Sequence, residues 1–236
     1  MRNTLTIAKR EFSSFFNSPI PYVLVAGFVV LSGIFYFRDL FLSRQADLRH
    51  FFELMPLLFC ILVPMLTMRL LAEERREGTL ELLLTMPVSD WQLVTGKFLA
   101  ALGVMVVMLG LTLAFPITVS YLGPLDKGTA VAGYFGALLM AGAFAAIGIM
   151  ASAVTRNQIL AAFISFLIGF GLLACGMLVS VMGPTLAPLL SALGIGTHFN
   201  NIARGVIDTR DVLYYLSIIF GCLLVAQTSL DSRRWR

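Results

Sequence analysis

The stretch Leu71–Lys97, LAEERREGTLELLLTMPVSDWQLVTGK, is a run in which charges of both signs crowd together with leucines, in a chain that is otherwise strongly apolar. Glu73, Glu74, Arg75, Arg76 and Glu77 carry an apolar helix beyond its nonpolar run, and Gly78 is placed to end or bend it. Leu80, Leu83 and Leu84 then share one face at i, i+3 and i+4, with Glu77 and Glu81 beside them, which predicts a second short helix. Met86 and Pro87 stop it. Ser89 and Gln92 have the S-x-x-Q spacing of a capping box, so a new helix is expected to begin there. A short helix with an apolar knob, held between two long apolar helices, is a lever that a soluble partner can grip. A solvated hairpin whose leucines dip into the lipid interface fits the same spacing, and the pattern alone leaves the two even.

Outward from this loop the composition sets the class. The chain has 236 residues, 58% hydrophobic and 13% charged, with a mean hydropathy of +0.89. Such values exclude an ordinary soluble domain. At about 20 apolar residues per crossing, six helices use roughly 120 residues, and the rest suffices for connections and modest loops but for no separate soluble enzyme domain. Gaps between ionisable residues mark the crossings, because charge near the bilayer centre is costly. They predict an all-α, polytopic integral membrane protein with spans at 20–42, 51–71, 93–122, 130–153, 158–181 and 212–230, and a connecting loop at 72–92. Pro64 and Pro116 fall inside the second and third spans, where a proline can kink a helix. Gly133, Ala137, Ala141 and Ala145, and likewise Ala161, Ser165 and Gly169, form small-residue stripes suited to close helix packing within a bundle or a dimer.

Six spans place both termini on one side. Of the 17 Lys and Arg residues, eleven then lie with the termini and six lie opposite, so both termini are expected to be cytoplasmic. In residues 3–17, Leu5, Ala8, Phe12, Phe15 and Phe16 recur at helical spacing opposite Thr6, Lys9, Arg10, Ser13 and Asn17. That pattern predicts an amphipathic helix over 1–18 lying in the headgroup plane. The formal charge of +4 is not clustered, so membrane orientation accounts for it better than nucleic acid. Cys60, Cys175 and Cys222 lack metal-site spacing, and His50 and His198 have no ligand cluster beside them; no metal or other cofactor is expected on this chain.

Residues 183–211 are neither polar enough to be fully solvated nor apolar enough to span. Pro184 to Leu193 and Thr197 to Val206 are expected as two short helices lying at or dipping into the outer leaflet, with Gly194 and Gly196 as the break. Arg204 and Asp208 are spaced to pair, although solvation of a helix surface explains them as well.

The string EERREGTLELLLTMPVSDWQLVTGK resembles the cytoplasmic signature of ABC type-2 export permeases, above all those of gliding motility and copper maturation. A second stretch, HFNNIARGVIDTRDVLYYLS from His198 to Ser217, is similar to the same subgroup and holds Phe199, Arg204, Gly205 and Asp208. The resemblance implies a coupling helix within Glu73–Pro87, made of Glu73, Glu74, Arg75, Arg76, Glu77, Gly78, Thr79, Leu80, Glu81, Leu83, Leu84 and Pro87. It implies docking of that helix on a separate ATPase that binds ATP and Mg, two ATPase copies, and a second permease chain, identical or with a periplasmic domain. It also implies a bacterial inner membrane, and an outer segment that forms a re-entrant pair capping the exit.

Consistent with that division of labour, the sequence has no G-x-x-x-x-G-K-[ST] phosphate loop: Trp91 stands where the first glycine is needed and Phe98 follows Lys97. A secondary transporter and a non-transporting anchor of a motility or secretion complex are the rival readings. The former usually carries ionisable residues near mid-membrane, and the span centres here are almost free of charge. A reporter fused at Gln45 is expected to be active only outside the cytoplasm; cytoplasmic activity would invert the whole map.

Overall fold

A computed structural model of the chain describes residues 2–43, 47–79, 89–123, 126–179 and 185–234. Leu80, Glu81, Leu83, Leu84 and Pro87 of the expected coupling helix lie outside them. Eleven helices form among the described residues, and no strand does. They are α1 (Arg2–Phe16), α2 (Pro19–Ser43), α3 (Arg49–Thr67), α4 (Arg69–Glu77), α5 (Asp90–Leu111), α6 (Ala114–Leu122), α7 (Lys127–Val154), α8 (Gln158–Leu178), α9 (Ala187–Leu193), α10 (Ile195–Ala203) and α11 (Thr209–Arg234). Six stretches are long and apolar enough to cross a membrane: Pro19–Arg38, Arg49–Glu77, Asp90–Leu122, Lys127–Val154, Gln158–Leu178 and Thr209–Asp231. The protein is therefore an all-helical, multi-pass membrane protein.

The boundaries follow local chemistry. Ser89 accepts from the Gln92 N–H while the Gln92 side chain accepts from the Ser89 N–H, so the capping box opens α5 where the spacing places it. Asp126 caps α7, accepting from the Gly128 N–H at 2.9 Å. Its carboxyl is held below the usual carboxylate range, first by the Thr129 hydroxyl and then by the Thr129 and Gly128 N–H groups.

α7 is the hub of the bundle, packed against α3, α4, α5, α8, α10 and α11. Both small-residue stripes turn inward within this one chain: Ala137, Ala141 and Ala145 are fully buried on α7, and Ala161 is fully buried on α8. Gly148 shows how close the approach is. A Cβ built there would overlap the Thr67 hydroxyl and lie 2.7 Å from the Thr67 Cβ. By contrast α8 and α11 keep few residues of their apolar windows inside the molecule.

Two spans are broken. The third breaks at Thr112 and Leu113, between α5 and α6, one turn before Pro116. Proline has no N–H to give the Thr112 carbonyl, which instead accepts from the Tyr134 hydroxyl of α7 at 2.9 Å as well as from the Phe115 N–H. The second span is interrupted at Met68, one turn past Pro64, where the Thr67 hydroxyl bonds back to the Val63 carbonyl at 2.9 Å.

α1 packs on α5 through Ile7 and Phe12, which lie against Gly96 and Gly103, and leaves Leu5 64% exposed. One expectation is corrected here. Gly196 lies inside the first turn of α10, so Gly194 alone separates α9 from α10; a Cβ at Gly194 would come within 2.8 Å of the Gly176 Cα.

Gly148→Ala is expected to lower unfolding stability by about 1–3 kcal/mol through overpacking. Gly27→Ala, where no atom lies within 4 Å of the added carbon, is expected to be neutral or slightly stabilising. Detergent-solubilised unfolding of both variants checks the contrast.

Candidate functional site

α4 is short, and its ends are held from outside. Its first N–H groups have no partner within the helix. Ser152 of α7 supplies one: its hydroxyl accepts from the Leu71 and Ala72 N–H groups at 3.0 and 2.9 Å and donates to the Met68 carbonyl at 2.9 Å. In return Arg75 of α4 reaches the end of α7, where the last carbonyls are likewise unpaired. Its guanidinium donates to the Thr155 carbonyl at 3.1 Å and to the Ala153 carbonyl. Each helix caps the other. The positive guanidinium also lies at the negative end of the α7 dipole.

At its far end α4 stops at Gly78, whose φ of +72° is a left-handed conformation that glycine adopts without strain. The Thr79 hydroxyl donates to the Glu74 carbonyl at 3.2 Å and closes the last turn.

A second fastening lies one helix away. Lys97 enters α5 among apolar neighbours and is 1% exposed. Its Nζ is 2.6 Å from Glu74 Oε1 of α4 and 3.3 Å from Glu11 Oε2 of α1. A buried ammonium needs such partners, since an unpaired one is strongly disfavoured. One charge therefore ties together α1, α4 and α5. Arg69 adds a further link from the start of α4, donating to the Ser18 hydroxyl at 3.1 Å and lying over the Phe15 ring. Between α1 and α4 these residues enclose a cleft of about 710 Å³, lined also by Arg10, Glu73, Glu77 and Thr79.

Of the residues singled out in the sequence, Glu74 and Arg75 are structural fasteners, Glu73 and Glu77 face the cleft, Arg76 is exposed and Gly78 is the cap. At the opposite end of the bundle, Phe199 is buried against Phe52. His198 contacts Asp211 at 2.6 Å, and Gly205 adopts a φ of +90°. Asp208 accepts from the Arg210 N–H at 3.0 Å, and no ion pair joins it to Arg204 among the described residues, so Arg204 and Asp208 are solvated.

Sequence reasoning missed Lys97, Glu11, Ser152 and Asp211. Lys97 had a signal: an ionisable residue well inside an apolar helix is expected to have a partner and a role. Ser152 had none, because a serine among alanines reads as one more small packing residue.

No group of three or more His, Cys, Asp or Glu residues able to hold a metal is present among the described residues. What the structure shows is a charged helix, α4, bonded into the central helix α7 and, through Lys97, linked to α1 and α5.

Residues 5–219 match the model of the ABC-2 family transporter proteins, and the chain belongs to that family. It is thus the permease, the membrane component of an ABC transporter; ATP is bound by a partner ATPase, and this chain carries no cofactor. A comparison with individual curated proteins gives no match.

Lys97→Ala leaves two carboxylates without their cation and is expected to cost about 3–5 kcal/mol. A double variant, Lys97→Met with Glu74→Leu, is expected to recover most of that loss, because an apolar pair replaces a buried ionic one. Unfolding of the single and double variants measures the coupling.

Proposed function

We propose that Glu73–Pro87 docks on the ATPase and that α4 transmits the ATPase's motion to the central helix α7. The observation that supports this most is the mutual capping of α4 and α7 by Ser152 and Arg75. A displacement of α4 cannot proceed without either moving α7 or breaking several buried hydrogen bonds, each worth about 0.5–1.5 kcal/mol net. The Lys97 contacts carry the same displacement to α1 and α5. For nucleotide state to shift the membrane conformation, this element must fit the closed and open ATPase differently.

In this reading the complex holds two ATPase copies and two permease chains, the second identical or a partner with a periplasmic domain. The excess of Lys and Arg on the α1 side supports cytoplasmic termini in a bacterial inner membrane. α1 then lies along the cytoplasmic face, and α9 and α10 cap the exit. The loop sequence and the His198–Ser217 stretch support membership of the subgroup of gliding-motility and copper-maturation permeases. The work performed is export, or conformational work delivered across the membrane. A secondary transporter and a passive anchor no longer compete, given the family.

Gly78→Pro forces a φ near −65° on a residue held at +72°, and Arg75→Ala uncaps α7. Both variants are expected to insert and to co-purify with the ATPase, while the permease's effect on ATP turnover falls at least severalfold. Leu83→Asp is expected to lose co-purification itself. Unchanged turnover and binding in all three would remove this assignment.

A further inference from the structure

At the end of the bundle opposite Lys97, His198 of α10 sits between two groups that can only accept. Its Nδ1 is 2.6 Å from Asp211 Oδ1, in the first turn of α11, and its Nε2 is 3.1 Å from the carbonyl of Ala192, in the last turn of α9. A carbonyl oxygen and an ionised carboxylate both lack a proton to give. A neutral imidazole has one N–H and can satisfy one of them. Both contacts are satisfied when the pair holds one proton more than a neutral histidine beside an ionised aspartate, wherever along the 2.6 Å contact that proton sits.

The surroundings agree. Asp211 is 3% exposed, and its Oδ2 has no hydrogen-bond partner among the described residues. The His198 ring stacks on Tyr214 at 4.0 Å between centroids, an arrangement that favours a cationic ring. Among the described residues, the ring faces Asp211 and Tyr214 from α11 and the Ala192 carbonyl from α9, and Cys175 of α8 lies near Tyr214.

We infer that this shared proton latches α9 and the α9–α10 turn onto α11, and that raising the pH releases the latch. Loss of the proton leaves one N–H for two acceptors; with that N–H kept on the Asp211 carboxylate, the Nε2 lone pair faces the Ala192 carbonyl of α9 at 3.1 Å, and that contact turns repulsive. The element released is α9. It has no buried residue of its own, whereas α10 is anchored by fully buried Ile195, Phe199 and Ile202. The Tyr214 hydroxyl on the Leu193 carbonyl, at 2.6 Å, belongs to the same fastening, since Tyr214 is stacked on the ring that moves. The sign is fixed by proton count: the latch is closed at lower pH and opens as pH rises.

The test is a nitroxide at Leu189, an exposed position on α9, on full-length protein in which Cys60, Cys175 and Cys222 are replaced by alanine. Spectra are recorded from about pH 5 to pH 9, a range spanning ordinary histidine titration. The parent is expected to show an immobilised component at low pH that is lost as pH rises. Asp211→Asn is expected to stay immobilised throughout, because its amide N–H₂ donates to an unprotonated Nδ1 while Nε2–H still serves Ala192. His198→Ala is expected to be mobile at every pH. A parent spectrum that does not change with pH, or an Asp211→Asn variant that follows the parent's change, overturns the inference; if His198→Ala does not fold, these two comparisons still decide.

Discussion

Backbone polar groups in a bilayer have no water to turn to, so every helix end at membrane depth must find a partner in the protein. The junction of α4 and α7 meets this constraint from both sides at once. Ser152 satisfies N–H groups at the start of α4, and Arg75 satisfies carbonyls at the end of α7. Much of the molecule's organisation follows from that exchange. Gly148 must be small for α7 to come this near Thr67, and the interruption at Met68 exposes the groups that Ser152 reaches. The helix that gains most from the arrangement is the one with the widest set of neighbours.

Charge is used sparingly and in one place. Glu11, Glu74 and Lys97 belong to three helices far apart in sequence, and their contact is the one buried charge cluster at the lever's end among the described residues. Such a cluster is weak evidence for stability, since its desolvation cost is large. Its value lies in geometry: it lets α1, α4 and α5 occupy one relative position and penalises others.

Local signals were the legible ones. The Ser89–Gln92 box, Gly78 as a terminator and the small-residue stripes each rest on residues close in sequence, and each sits in the structure where its spacing places it. The six crossings were legible because charge gaps are dictated by the bilayer and not by the fold. What escaped was pairwise and distant. Lys97 and Glu11 are separated by three whole helices, α2, α3 and α4, and neither predicts the other. On α1 the periodicity included Phe12, which packs on α5, but gave no sign of Ile7 and Glu11, which Gly96 and the buried Lys97 of α5 receive.

The break at Thr112 has a quieter implication. Since Pro116 withholds the usual ladder bond and the phenol of Tyr134 stands in for it, α6 hangs from α5 by a joint partly borrowed from a neighbouring helix. Tilting α6 loads the Thr112–Phe115 and Leu113–Ile117 backbone bonds together with the tyrosine contact, so this crossing bends at a joint that the hub helps to hold.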